Sequence, residues 1–154
     1  METGRYLERI PYVKGGSGEK TIIILPGSFD FVLSVELDPK AAYKRYMSLL
    51  PGGYKFCILG YDRNLPDTAT LESMADEFAS IIKENFDTPV TLAGASYGGS
   101  ISVYLASRHP ELVERLLLFS SAHKLAKPAG LNFLKLVIEA ASSLDVKPFE
   151  KAFH

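Results

Sequence analysis

In the segment Gly94-Ala95-Ser96-Tyr97-Gly98 one serine stands midway between two glycines. It lies between a short apolar run, Val90 to Ala93, and a stretch in which Ile101, Tyr104 and Leu105 recur at helical spacing until Arg108-His109-Pro110 stops it. A serine hydroxyl becomes a useful nucleophile when a tight strand-to-helix turn lifts it off the sheet edge. Such a turn leaves little space for side chains at the flanking positions, and Gly94 and Gly98 meet that demand. The helix that starts after Ser96 aims its positive end and its first N–H groups at the place where a tetrahedral acyl intermediate would carry negative charge. The pattern predicts a nucleophile elbow with Ser96 as its reactive group.

The elements that must position Ser96 alternate along the chain as strands and helices do in an α/β sheet. A first strand is expected over Tyr6 to Val13, turned by Lys14-Gly15-Gly16-Ser17-Gly18 into a second over Thr21 to Leu25. The unbroken Ile22-Ile23-Ile24-Leu25 suits a strand covered on both faces. A helix over Ala41 to Leu50 closes at Pro51-Gly52-Gly53, and Lys55 to Tyr61 is the next strand, with Asp62 and Arg63 at its end. The clearest helix follows. Thr70 can cap it, Glu72 lies in its first turn, and Leu71, Met74, Ala75, Phe78, Ile81 and Ile82 form one apolar stripe. Arg115 to Ser120 reads as the strand after the Ser96 helix, and Leu131 to Leu144 as a further helix.

With 154 residues the chain can bury a core of its own. Its 17 Lys and Arg against 18 Asp and Glu leave a net charge of −1, which gives no electrostatic footprint for nucleic acid or an anionic membrane. A small-molecule substrate is the expected partner. Met1-Glu2-Thr3-Gly4-Arg5 lacks the apolar core of a signal peptide, and no apolar run is long enough to span a bilayer, so a cytoplasmic location is expected. Cys57, the only cysteine, lies in the apolar run Phe56 to Leu59 and reads as a small core residue. No cofactor or metal is expected.

Taken in order, these motifs resemble the N-terminal part of an α/β-hydrolase. The resemblance rests on Ile22-Ile23-Ile24-Leu25-Pro26-Gly27-Ser28, similar to that family's strand and oxyanion loop, and on Gly60-Tyr61-Asp62-Arg63 at the next strand end. It rests further on the Ser96 elbow and on His109-Pro110-Glu111-Leu112-Val113 leading into Leu116 to Ser121. Family members often carry His-Gly where this chain has Pro26-Gly27. The resemblance implies a mostly parallel sheet with helices on both faces. It also implies an oxyanion hole made by the backbone N–H groups of Ser28 and Tyr97, and a serine hydrolase acting on an ester or related acyl substrate.

In that family the acid and the histidine follow the serine on later strands. The chain is therefore expected to be truncated before the last strands, with residues 1–125 as the core and 126–154 as a helical tail resembling the start of a cap or lid. Of the 3 histidines, His109 is expected at a helix C-terminus, His154 is terminal, and His123 follows a strand beside that of Ser96. A rebuilt relay of Ser96, His123 and Asp62 is the internal substitute for a triad; Asp30 also follows a strand, and Phe29, Phe31 and Tyr97 are candidates to line an acyl pocket. Without its later neighbours the strand Arg115 to Ser120 is expected to aggregate, to self-associate through its open edge or to be covered by the tail, and without a histidine base the chain alone is expected to be nearly inactive. The alternative is a non-catalytic α/β module that binds a small molecule or a partner.

Overall fold

The computed structural model describes residues 1–28, 38–48 and 52–121. The chain divides after Ser121, and the expected helix over Leu131 to Leu144 lies outside the described residues. The strands are β1 (Glu2–Tyr6), β2 (Ile10–Gly16), β3 (Lys20–Leu25), β4 (Tyr54–Leu59), β5 (Val90–Ala95) and β6 (Val113–Phe119). The helices are α1 (Pro39–Met47), α2 (Leu71–Asn85) and α3 (Tyr97–Arg108). Among the described residues the six strands form one sheet in the order β1-β2-β4-β3-β5-β6. Its β4-β3-β5-β6 part is parallel, and the hairpin β1–β2 adds to β4 in antiparallel fashion.

Alternation along the central strands splits their apolar residues between two cores. Ile23 and Leu25 of β3, Cys57 and Leu59 of β4 and Leu92 of β5 pack with α2 and α3, through Met74, Phe78, Ile82, Ile101 and Leu105. On the other face Ile22, Ile24, Phe56, Ile58 and Ala93 pack with Ala42 of α1. Both faces of β3 are covered, which is why an unbroken apolar run forms a strand there.

Helix α2 begins where a reciprocal cap forms. The Thr70 hydroxyl accepts from the Ser73 N–H at 3.1 Å, and the Ser73 hydroxyl accepts from the Thr70 N–H at 2.9 Å. Its buried residues are Met74, Ala75, Phe78, Ala79, Ile81 and Ile82, each of the large ones contributing roughly 1.5–3 kcal/mol by leaving water.

The N-terminal expectation is corrected. Tyr6 to Val13 is two strands, because the chain reverses at Leu7 (φ 51°) and Glu8 (φ 62°), closed by the Arg9 N–H donating to the Tyr6 carbonyl at 3.1 Å. The stacked rings of Tyr6 and Tyr12, 4.5 Å apart, fasten that hairpin. Nor do β2 and β3 pair across Lys14 to Gly18. Strand β4 lies between them, and Gly18 (φ 152°) passes so close to the Gly53 carbonyl that any side chain would overlap it.

Candidate active site

Ser96 occupies the turn between β5 and α3 with φ 48° and ψ −117°, a backbone state that a non-glycine residue rarely takes. It is half-buried, and its side chain makes no capping bond to α3. The main chain is held from several sides. The Ser96 N–H donates to the Phe119 carbonyl at 2.9 Å, extending the β5–β6 ladder into the turn. The Ser96 carbonyl accepts from the N–H groups of Gly99 (3.0 Å) and Ser100 (3.2 Å) and from the Ser121 hydroxyl (2.9 Å). Ser121 reaches it because Ser120, at φ 45°, bends the chain just past β6.

The flanking glycines are explained by what surrounds them. A side chain on Gly98 would strike the carbonyl oxygens of Leu25 and Pro26, and one on Gly94 would lie 2.6 Å from the Gly99 Cα. The first turn of α3 thus rests directly on the end of β3, and the Ser102 hydroxyl, fully buried, donates to the Gly98 carbonyl at 2.7 Å. The loop after β3 reaches the serine. A methyl group on Gly27 would stand 3.3 Å from the Ser96 Cβ and 3.9 Å from its Oγ, so Gly27 lies beside the Ser96 side chain. Tyr97, the residue after Ser96, is the first of α3.

The Tyr97 ring turns inward. It meets the edge of Tyr61 at 5.6 Å, its hydroxyl donates to the Met74 sulfur at 3.2 Å, and burial pushes its phenol pKa up. The ring thus packs on Met74 of α2 and on Tyr61, just past β4. Phe29, Asp30 and Phe31 lie outside the described residues, as do His123 and His154. Asp62, 9% exposed, accepts from the Arg9 guanidinium at 3.1 Å and from the Asn64 N–H at 2.8 Å. Arg9 also pairs with Glu77 of α2, so Asp62 helps fasten the β1–β2 hairpin to the end of β4. His109 sits at the C-terminus of α3 as expected, with Nε2 2.8 Å from the Asp76 carboxylate, which also accepts two bonds from Arg108.

Sequence reasoning missed three groups at this site: Tyr61, whose hydroxyl donates to the Pro26 carbonyl, and the Phe119 and Ser121 contacts to Ser96. Only their position at strand ends hinted at them. A cavity of about 730 Å³ opens at the opposite sheet edge, lined by residues such as Lys14, Gly16, Lys55 and Asp87. Among the described residues no cluster of potential metal ligands occurs, and no helix is long and apolar enough to cross a membrane.

A chain with this topology has solved counterparts. It superposes on MGS-MChE2, an α/β-hydrolase enzyme from the metagenome of sediments of the lagoon of Mar Chica, Morocco, with a TM-score of 0.58 and 21% identity over 94% of this chain and 62% of that one. The chain has the α/β-hydrolase fold. A bacterial membrane phospholipase A gives a TM-score of 0.61 at 25% identity, covering 79% of this chain and 39% of the phospholipase. In sequence, residues 62–135 match the family described as "Putative esterase". Over 65 residues the chain is 42% identical to a pimeloyl-[acyl-carrier protein] methyl ester esterase of Neisseria meningitidis, a match spanning 40% of this chain and 24% of that protein. The chain spans about a quarter of the length of the curated relatives it matches.

Proposed function

We propose that this α/β-hydrolase chain contributes the nucleophile and oxyanion hole of a serine hydrolase acting on an ester or related acyl substrate. The observation that carries this reading is the backbone of Ser96: φ 48° between a parallel strand and a helix N-terminus, with the Gly27 loop against its side chain. Strain of that kind persists only where the surroundings over-determine it, and here they do so around a hydroxyl that is not spent on capping.

In the reaction the Ser96 oxygen forms a bond to the acyl carbon while its proton passes to a base, and the carbonyl electron pair moves onto oxygen. The N–H groups of Ser28 and Tyr97 stabilise that oxyanion, each donor contributing about 3 kcal/mol in sites of this type. Collapse expels the alcohol, which takes up the proton, and water repeats the sequence to release the acid. Among the described residues the one histidine, His109, is engaged with Asp76 at the far end of α3, so the base comes from outside them.

A fluorophosphonate probe tests the nucleophile. It is expected to modify the full chain at Ser96, and Ser96→Ala is expected to abolish the modification. Labelling that persists in the variant, or that maps to another serine, overturns the reading.

A further inference from the structure

Tyr61 follows β4 and is 2% exposed, yet it ends in a polar group deep beneath the candidate site. Its hydroxyl donates to the carbonyl of Pro26, the first residue after β3. Its ring is held in place independently, edge-on to Phe78 of α2 at 6.0 Å and to Tyr97 at 5.6 Å. The same Pro26 carbonyl is approached by Gly98, in the first turn of α3, where an added Cβ would overlap its oxygen. One side chain therefore touches both halves of the proposed oxyanion hole: the loop that carries Ser28 and the residue Tyr97.

Glycine at position 27 leaves the loop with wide conformational freedom at the point where it faces Ser96. A loop free to rotate there would swing the Ser28 N–H in and out of position, and preorganised donors are effective only when they do not have to move. Fixing the Pro26 carbonyl removes one of the torsions on which that swing depends. We propose that Tyr61 is a positioning residue, its hydroxyl holding the Pro26 carbonyl so that Gly27 and Ser28 stay packed beside Ser96. The proposal rests on the oxyanion-hole reading of Ser28 and Tyr97 for its catalytic meaning, and on the Tyr61 to Pro26 bond for its structural content.

The test is Tyr61→Phe, which keeps the ring and removes only the donor. Phe78→Leu serves as a companion that loosens the same aromatic cluster while leaving the bond to Pro26 intact. Amide hydrogen exchange of Gly27 and Ser28 is expected to rise roughly tenfold or more in Tyr61→Phe, with Ile23 and Ile82 unchanged; Phe78→Leu is expected to lack this selective rise. The limiting rate of phosphonate reaction at Ser96 is expected to fall roughly tenfold to a hundredfold, with the half-saturating probe concentration unchanged. Unchanged exchange at Gly27 and Ser28 in Tyr61→Phe, a uniform rise across the sheet, loss of the fold, or the same loop response in Phe78→Leu would overturn the proposal. If wild-type Ser96 does not react with the probe, the nucleophile reading fails, and the exchange data decide the clamp by themselves.

Discussion

The hydroxyl of Ser121 donates to the main-chain carbonyl of Ser96 across 2.9 Å, so the residue that follows the strained Ser120 supports the strained turn beside it. Two backbones in unfavourable states are braced against one another where β5 and β6 end.

Removing that brace has a graded consequence. The Ser96 carbonyl keeps the Gly99 and Ser100 N–H donors, so Ser121→Ala does not orphan a buried acceptor, and the loss of stability should be about 1 kcal/mol in urea unfolding. Phosphonate labelling of Ser96 should slow by more than that stability change explains. Equal labelling rates in variant and wild type would show that the turn holds its geometry without Ser121.

Gly98 and Gly52 form a matched pair. Ala at 98 has to displace the carbonyls of Leu25 and Pro26, whereas nothing stands within 4 Å of the position a methyl would take at 52. Gly98→Ala should cost about 1–3 kcal/mol or more and abolish labelling, while Gly52→Ala should stay within about 0.5 kcal/mol of wild type. Thermal melts of the two variants, with probe labelling, check both halves.

Asp76 makes acid stability legible. The bonds from Arg108 first, and then from His109, lower its pKa from 3.8 to about 2. A carboxylate whose folded pKa is depressed contributes stability that is fully present above the unfolded value and is lost as pH falls through the folded one. The α2–α3 clamp should weaken between about pH 4 and pH 2, and Asp76→Asn should flatten the stability curve over that window. A variant curve parallel to wild type there would remove Asp76 from the acid response.

Among the described residues β6 is the last strand of the sheet, and it exposes Leu117 (41%), Leu118 (46%) and Phe119 (58%). Residues 1–154 expressed alone should therefore associate through β6, and Leu118→Lys should reduce that association by placing a charge on the edge strand. Sedimentation velocity reads the outcome. A monodisperse monomer at concentrations near 100 μM, on the order of those at which exposed edges aggregate, would contradict it.

The local parts of the fold were legible because their signals are local. Thr70 with the stripe Met74, Ala75, Phe78, Ile82 defines α2 by itself, and Gly94-Ala95-Ser96-Tyr97-Gly98 specifies a turn that the structure realises at φ 48°. The hairpin at Leu7 and Glu8 was not legible, since neither residue carries turn chemistry; stacking of Tyr6 on Tyr12 and the Arg9 pairs to Asp62 and Glu77 support that reversal. The placement of β4 between β2 and β3 was equally hidden. Phe56-Cys57-Ile58-Leu59 and Ile22-Ile23-Ile24-Leu25 are both doubly covered strands, and nothing in either run states which neighbour it takes. Tyr61 lay within a recognised strand-end motif, but the partner of its hydroxyl is set by how two distant loops converge.

The central strand β3 pairs on both sides with segments that come later in the chain, Ile23 lying opposite Cys57 on one flank and Leu92 on the other. During synthesis from the N-terminus it leaves the ribosome before either partner has emerged. Its Ile22-Ile23-Ile24-Leu25 surface then waits with both hydrogen-bonding edges open. Chaperone demand in the nascent chain should thus centre on β3 until β5 arrives, and the strand most secure in the finished sheet is the one most exposed to misassembly while it is being made.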